Sequence, residues 1–297
     1  MPELPEVETL RRSLVPIVVG RTITALRTGG FAAVMGDEGV AAVARRVVGQ
    51  RIDRIGRRGK YLRLVLDDGS SLVVHLRMTG RLTVVLRDAA PLRFEHLALE
   101  LDDGHDIRFS DQRKFGRVVH MQARHWSTLA RRLGPEPLVT SFTATRLQTA
   151  LESRSGRLKS VLLDQRLVAG LGNIYVDEAL FLARLHPERP AHSLSQAEVR
   201  RLHRAMRVVL RRGIANHGTT FSSFQDATGA EGRNQQQLRV YGRGGFYPCD
   251  RCGMQLVRIV VGGRGTSFCR RCQSNTAGPP TSSGGPAGQP PSSTKQP

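Results

Sequence analysis

The sequence predicts a multidomain α+β protein, because three kinds of segment follow one another without interleaving. A helical opening is succeeded by a run of short β-branched strands. Helices come next, and four clustered cysteines then bracket a last hairpin. At 297 residues the chain can bury one or two substantial cores, and two or three domains are expected.

Residues 1–20 read as a helix, since Leu4, Val7, Leu10 and Leu14 recur at helical spacing and Gly20 closes the segment. From 21 to about 125 the pattern is one of strands, at 51–55, 61–66, 71–76, 81–86, 96–101 and 118–121. Asp67-Asp68-Gly69 and Asp102-Asp103-Gly104 supply turns between them. So many short strands imply a sandwich or a barrel. Leu133-Gly134-Pro135-Glu136-Pro137 reads as a linker, and helical patterns follow at 142–151, 157–163, 174–182 and 196–212. The last opens on a capping box, Ser195 with Glu198, and buries Val199, Leu202, Met206 and Val209. A loop rich in Gly, Gln and Arg covers about 218–237. Residues 276–297 are Pro, Gly and Ser with one charge, Lys295, and read as a disordered tail. The expected boundaries are 1–132 for the strand-rich domain, 133–232 for the helical one, 233–275 for the cysteine unit and 276–297 for the tail.

Charge narrows the partners. Lys and Arg number 45 against 25 Asp and Glu, a formal +20, with Arg supplying most of it. Guanidinium groups suit bidentate contacts to phosphate, so a polyanion is the leading partner. No apolar run approaches the ~20 residues of a spanning helix, and the start lacks a basic stretch leading into an apolar one. A soluble intracellular protein that meets nucleic acid, and no membrane, fits best. Nothing points to oligomers, so a monomer is the default.

Cys249-x-x-Cys252 and Cys269-x-x-Cys272, sixteen residues apart, would present four thiolates tetrahedrally to one Zn²⁺. With every valence filled by protein, that zinc is structural. The stretch between reads as a β-hairpin with Arg264 exposed at its glycine-flanked turn.

Pro2 carries the sharpest chemical signal. Trimming of Met1, which the small side chain of Pro2 permits, leaves a secondary amine of pKa near ~7.7–8.0, partly unprotonated at neutral pH. Such an amine can attack a sugar carbon and form an iminium. Glu3 and Glu6 lie close enough in sequence to act as general acid or base. Pro5, Glu6 and Glu8 also suit a plain helix start.

Other segments are weaker alone. In Gly170-Leu171-Gly172-Asn173-Ile174-Tyr175 the glycines permit sharp turns, Asn173 is a good N-cap, and free backbone N–H groups could hold a phosphate. A helix–turn–helix hairpin gripping a DNA backbone or an ordinary helix–helix turn would each suit it. Lys60, entering a strand from Arg57-Arg58-Gly59, is either a phosphate ligand or a solvated charge. Met78, Arg113 and Phe115 each sit at a turn after a strand, where they could wedge into a base stack or simply be core.

Together these segments closely resemble the bacterial formamidopyrimidine-DNA glycosylase family. The resemblance rests on PELPEVET, RRGKYL, HLRMTG, RKFG, LGPEPL, LVAGLGNIY, VYGR and the paired CxxC, in family order over roughly 1–273. It implies an N-terminal β-sandwich with flanking helices, a helix–two-turn–helix domain and a zinc-finger hairpin, with duplex DNA in the cleft between. By motif match Pro2 would attack C1′ of the damaged nucleotide, Glu3 would assist ring opening and proton transfer, and Glu6 would support the site electrostatically. Lys60 falls on a lysine that contacts the phosphate beside the lesion. Met78, Arg113 and Phe115 fall on residues that fill the gap left by a flipped base, with Arg113 facing the orphaned partner. His75, Asn173, Tyr241 and Arg264 fall on the phosphate grip, and 218–237 on the segment covering the extruded base. Leu4-Pro5 after the opening Pro-Glu leans toward oxidised purines over oxidised pyrimidines. A bacterial cytoplasmic protein associated with the nucleoid, excising 8-oxoguanine or formamidopyrimidine lesions and nicking by β,δ-elimination, is the resulting expectation. A non-catalytic zinc-ribbon protein that binds damaged DNA is the rival.

Overall fold

The computed structural model describes residues 2–29, 31–36 and 38–275, so Met1 and the tail expected at 276–297 lie outside the described residues. Helix α1, Leu4–Val18, buries Leu4, Val7, Leu10, Leu14 and Val18, the stripe that its three- and four-residue spacing requires. Leu4 packs into the helical core while Val7, Leu10 and Leu14 pack into the sandwich core, so one helix fastens both.

Eight strands follow: β1 Ile23–Thr28, β2 Ile52–Arg58, β3 Tyr61–Leu66, β4 Ser71–His75, β5 Arg81–Leu86, β6 Glu95–Leu101, β7 His105–Ser110 and β8 Arg117–Met121. They form two antiparallel four-stranded sheets, ordered β1-β6-β7-β5 and β2-β3-β4-β8. Alternation fixes the inner faces. Leu62, Leu64 and Leu66 of β3 point into the core, while Arg63 points out over the Trp126 ring at 5.2 Å. The sandwich is therefore the form taken, with α2 (Val40–Val47) and α3 (Ala123–Arg131) flanking it. Two strands, β1 and β7, and two helices, α2 and α3, differ from the expectation. β7, to which no element was assigned from the sequence, carries Asp106 and Arg108, both essentially buried, with Arg108 donating to the Arg87, Ala89 and Ala90 carbonyls. Arg27 on β1 bonds Asp106 at 2.7 Å, so β1 too is held by a charge that its sequence pattern hides. α2 lies where strands alone were expected, and its Val43 and Val47 close one end of the core.

The helical region comprises α4 (Ala144–Glu152), α5 (Leu158–Leu163), α6 (Asn173–Ala183) and α7 (Gln196–Ala215). Ser195 and Glu198 form the expected capping box of α7. The segment read as a linker is pinned: buried Glu136 takes Arg57 in a bidentate bond at 3.0 and 2.8 Å and also accepts the Gly59 N–H. Ala227, well inside the helical range, packs into the sandwich core and accepts the Val84 N–H. The chain ends its described part in the hairpin β9 (Val257–Val261) and β10 (Arg264–Phe268). No helix among the described residues is long and apolar enough to cross a membrane.

Candidate active site

The start of α1 is driven into the helical region. Leu4 donates its N–H to the Gly170 carbonyl at 3.0 Å, which draws Pro2 and Glu3 under the GLGN turn, where both are buried. There the Glu3 carboxylate accepts the Ile174 N–H at 2.9 Å and the Tyr175 N–H at 3.4 Å. These are the orphan donors of the first turn of α6, whose positive end favours an anion. Two expectations are corrected here. Asn173 is not the N-cap but the first helical residue, with Gly172 in the cap position. The backbone donors expected to be free for a phosphate are taken by Glu3 instead.

Gly172 has to be glycine for a steric reason. A Cβ there would fall on the Glu3 carboxylate and within 2.7 Å of Lys60 Nζ, so both charged groups close around one point. Lys60 is only 7% exposed, which rules out the solvated charge. It is delivered by the tight β2–β3 turn, where Gly59 adopts φ +57° and packs against Ala169 and Gly170. Burial pushes the Glu3 pKa up, the Lys60 charge opposes that, and the neighbouring Glu6 adds to it. Burial pulls Lys60 down, with Glu3 and Glu6 holding it up and Arg264 adding to the fall. A carboxyl raised beside an ammonium lowered is the arrangement in which a proton moves at small cost.

Glu6 is fully committed. One oxygen accepts the Glu3 N–H at 2.8 Å, and the other accepts the Tyr175 hydroxyl and the Thr219 N–H, each at 2.7 Å. Asn234 completes this buried group by donating to Thr219 Oγ1 at 2.9 Å. The loop at 218–237 is thus tied by its first and later residues to the chain's opening helix.

A second group of residues lies outside this centre. His75 stacks edge-on against Tyr61 at 4.6 Å, and its Nδ1 accepts the Arg77 N–H. Burial, Arg77 and Lys60 push its pKa down to about 3, so it is neutral and carries its proton on Nε2, a donor without charge. Asn173 donates to the Gly265 carbonyl at 3.0 Å beside Tyr241, and the two line a cleft of about 310 Å³ with Arg258. Tyr241 is set by Glu178, whose Oε1 accepts the N–H groups of Arg239, Val240 and Tyr241 in succession. Arg264 is exposed at the start of β10, directly after the Gly262-Gly263 turn. Buried Lys159 joins this hairpin to α6 through Asp177 at 2.6 Å, the Gly265 carbonyl and Thr266.

Met78, Arg113 and Phe115 share one rim, and none belongs to the core. Met78 is half-buried, Phe115 is 51% exposed, and the Arg113 guanidinium lies over the Phe115 ring at 5.0 Å. Their common anchor is Asp111, which the sequence reading missed. Its buried carboxylate accepts the Thr79 hydroxyl, the Arg113 N–H and the Gly116 N–H, clamping two turns together. Tyr175, Thr219, Asn234 and Glu178 were also missed, because a buried polar residue within an apolar helix or a loop gives no periodic signal.

The four cysteines are unpaired and their Sγ atoms all lie within 4.8 Å of one another. Cys249 to Cys272 is 3.9 Å and Cys252 to Cys269 is 3.5 Å, against the about 3.8 Å separation of thiolates tetrahedral about zinc at about 2.3 Å. The donor set fits one structural Zn²⁺.

A sandwich, a helical unit and a cysteine-bound hairpin around one buried acid–lysine centre make the architecture of a helix–two-turn–helix DNA glycosylase. Residues 1–118 match the formamidopyrimidine-DNA glycosylase N-terminal domain, 133–225 its H2TH domain, and 247–275 the zinc finger found in FPG and IleRS. The formamidopyrimidine-DNA glycosylase of Herpetosiphon aurantiacus is 45% identical over 92% of this chain and all of its own length. Two solved structures from Lactococcus lactis superpose with a TM-score of 0.86 at 35% identity, each covering 92% of this chain. One is a complex of the Fpg protein with DNA containing an abasic site, with 99% of that chain covered. The other is a complex of a point mutant of the same protein with DNA containing Fapy-dG, with 100% of that chain covered. The chain belongs to the formamidopyrimidine-DNA glycosylase family.

Proposed function

We propose that this chain excises oxidised purines, 8-oxoguanine and formamidopyrimidines, from duplex DNA and then cleaves the strand, using the amine of Pro2 once Met1 is removed. The observation that carries the reading is the placement of Glu3, bonded to Pro2, buried, capping α6 and closing with Lys60 on the point that a Gly172 side chain would occupy.

The chemistry follows from those groups. The Pro2 nitrogen attacks C1′ as the bond from C1′ to the damaged base breaks, and the proton that the nitrogen gives up passes to the departing base, which leaves neutral. Glu3, its pKa raised by burial, donates a proton to the ring oxygen, and the opened sugar is left as an iminium on Pro2. The iminium makes the C2′ proton acidic. Its loss expels the 3′ phosphate by β-elimination, and a δ-elimination then releases the 5′ phosphate. Lys60 supplies a charge for the phosphate beside the lesion, and neutral His75, Asn173, Tyr241 and Arg264 supply further donors along the strand. Met78, Arg113 and Phe115, standing out on one rim, would fill the duplex where the nucleotide has left, since a stacked base cannot be reached in place. The zinc, when bound, fixes the hairpin that carries Arg264 and takes no part in bond breaking.

The test is borohydride trapping on a duplex with one 8-oxoguanine opposite cytosine, using tag-free protein. A covalent adduct is expected, absent in Pro2→Gly and in protein that retains Met1. Tight binding without an adduct would assign the chain to the non-catalytic binders. An adduct formed only with an oxidised pyrimidine would keep the mechanism and change the substrate.

A further inference from the structure

Helix α7 carries an arginine row that nothing in the reaction uses. Arg200, Arg204, Arg207 and Arg211 recur at four-, three- and four-residue steps, which places them along one side of the helix over about 16 Å. That side faces opposite to the buried Val199, Leu202, Met206, Val209 and Gly213, and it is the buried side that meets Tyr175, at Gly213. A groove of about 370 Å³ runs between the row and the start of α4. Arg207 is partly spent, donating to the Pro137 and Val139 carbonyls. Arg200, Arg204 and Arg211 are exposed, and among the described residues none of them has a carboxylate within 4.0 Å or a hydrogen-bond acceptor for its guanidinium.

Three unpaired guanidinium groups beside one another repel unless an anion lies across them. Two kinds of macromolecule could do so. A protein partner needs an apolar centre to its interface, and Val208, 36% exposed, is the sole apolar side chain in the groove besides Ala144. A nucleic-acid backbone needs none. Its phosphates rise about 3.4 Å each along the duplex axis while winding around it, which sets neighbours on one strand about 6–7 Å apart, so the row's length matches about three phosphates, each a bidentate target for arginine.

We infer that the outer face of α7 binds the backbone of a second DNA duplex while the catalytic cleft holds the first. The contact is to phosphate and is indifferent to sequence. It gives the protein a hold on a neighbouring segment, so that the protein passes between duplexes without first going free in solution. The inference rests on the proposed function only for the identity of the first ligand.

The experiment saturates the full-length zinc protein with a short duplex bearing a non-cleavable abasic analogue labelled with one dye. A longer lesion-free duplex labelled with a second dye is then added, and energy transfer between the dyes reports a ternary complex. Wild-type protein is expected to form it, with affinity falling steeply as salt rises. The variant R200E/R204E/R211E is expected to bind the second duplex at least about tenfold more weakly and to lose about 2–3 from the slope of log affinity against log salt. Its single-turnover excision on a short damaged duplex should match the parent, as should its melting temperature. R200K/R204K/R211K should retain most of the transfer. Absence of a ternary complex with wild type at low salt, or an equal signal from the charge-reversed variant, overturns the inference. Displacement of the second duplex by no competitor DNA but by a polyglutamate peptide would overturn it in favour of an acidic protein partner. Failure of excision with bridging intact would strike the proposed function alone.

Discussion

Gly172→Ala tests whether the closeness of Glu3 and Lys60 matters. Gly172 has φ −138° and ψ −162°, an extended conformation open to any residue, so backbone strain is no part of the effect. The added methyl carbon would stand 2.5 Å from Glu3 Oε1 and 2.7 Å from Lys60 Nζ. Ordinary contact begins at 3.4 Å, so the carboxylate has to retreat by roughly 1 Å, and it has nowhere to go without leaving the Ile174 N–H. Overpacking of this kind costs about 1–3 kcal/mol of stability. A misplacement of that size at reacting groups costs about 10²-fold in rate. The assay is single-turnover excision from a damaged duplex, run beside thermal unfolding and duplex binding. The expected result is a folded protein that still binds duplex, since His75, Tyr241 and Arg264 are not displaced although Lys60 is, and excision slowed by about two orders of magnitude. Excision within about threefold of the parent in a folded variant would refute the reasoning, because the paired groups would then tolerate displacement.

Asp111→Ala should free both turns of the exposed rim, at a cost of about 2–4 kcal/mol for a buried acceptor of three bonds. Excision from duplex should fall well below cleavage of a single-stranded abasic site, and an equal loss on both substrates would sink the rim's role. Glu8 is raised by burial but lowered more by Arg11, Arg12 and Arg57, to about 2. Its folded value lies below the unfolded one, so the stabilisation is complete above about pH 4.5 and is lost as pH falls toward 2. Glu8→Gln should therefore cost on the order of 2 kcal/mol at neutral pH, solvent screening included, with the gap from the parent narrowing below about pH 4.5 in urea titrations. Parallel curves down to the acid limit would contradict the Arg assignment. Removal of metal by a chelator should release one zinc, expose four titratable thiols and abolish duplex binding while leaving the sandwich folded. Unchanged binding by the zinc-free protein would show that Arg264 needs no fixed hairpin.

Much of this was legible from residue order alone. Apolar patterning located α1, α4 to α7 and most strands; α1 and α7 bury one stripe, whereas α6 and β4 are buried on nearly every side. β1, β7, α2 and α3 were not legible: Arg27, Asp106 and Arg108 satisfy one another across β1 and β7, and such pairing has no local signature. At the site the cysteine cluster could be read, since its spacing is local. The environment of Glu3 could not, because its ligands come from the opposite domain, and the N-cap reading of Asn173 failed when a carboxylate 171 residues away in sequence took the donors. Lys60 stood open between two readings, and its burial removes the solvated one.

The sequence distance between Glu3 and its ligands also sets a schedule. Glu3 leaves the ribosome 171 residues ahead of Ile174, and Glu6 leaves 213 residues ahead of Thr219. At translation speeds of about 5–20 residues per second those separations amount to roughly 10–40 s. Throughout that interval the residues that bury the opening segment have not yet been made. Any aminopeptidase that trims the residue ahead of Pro2 has those seconds in which to act, before the GLGN turn arrives and closes over the segment. On the proposed mechanism, slow trimming or fast translation would leave molecules that complete the fold around Glu3 but present no free Pro2 amine, a fraction that borohydride trapping would count as unreactive.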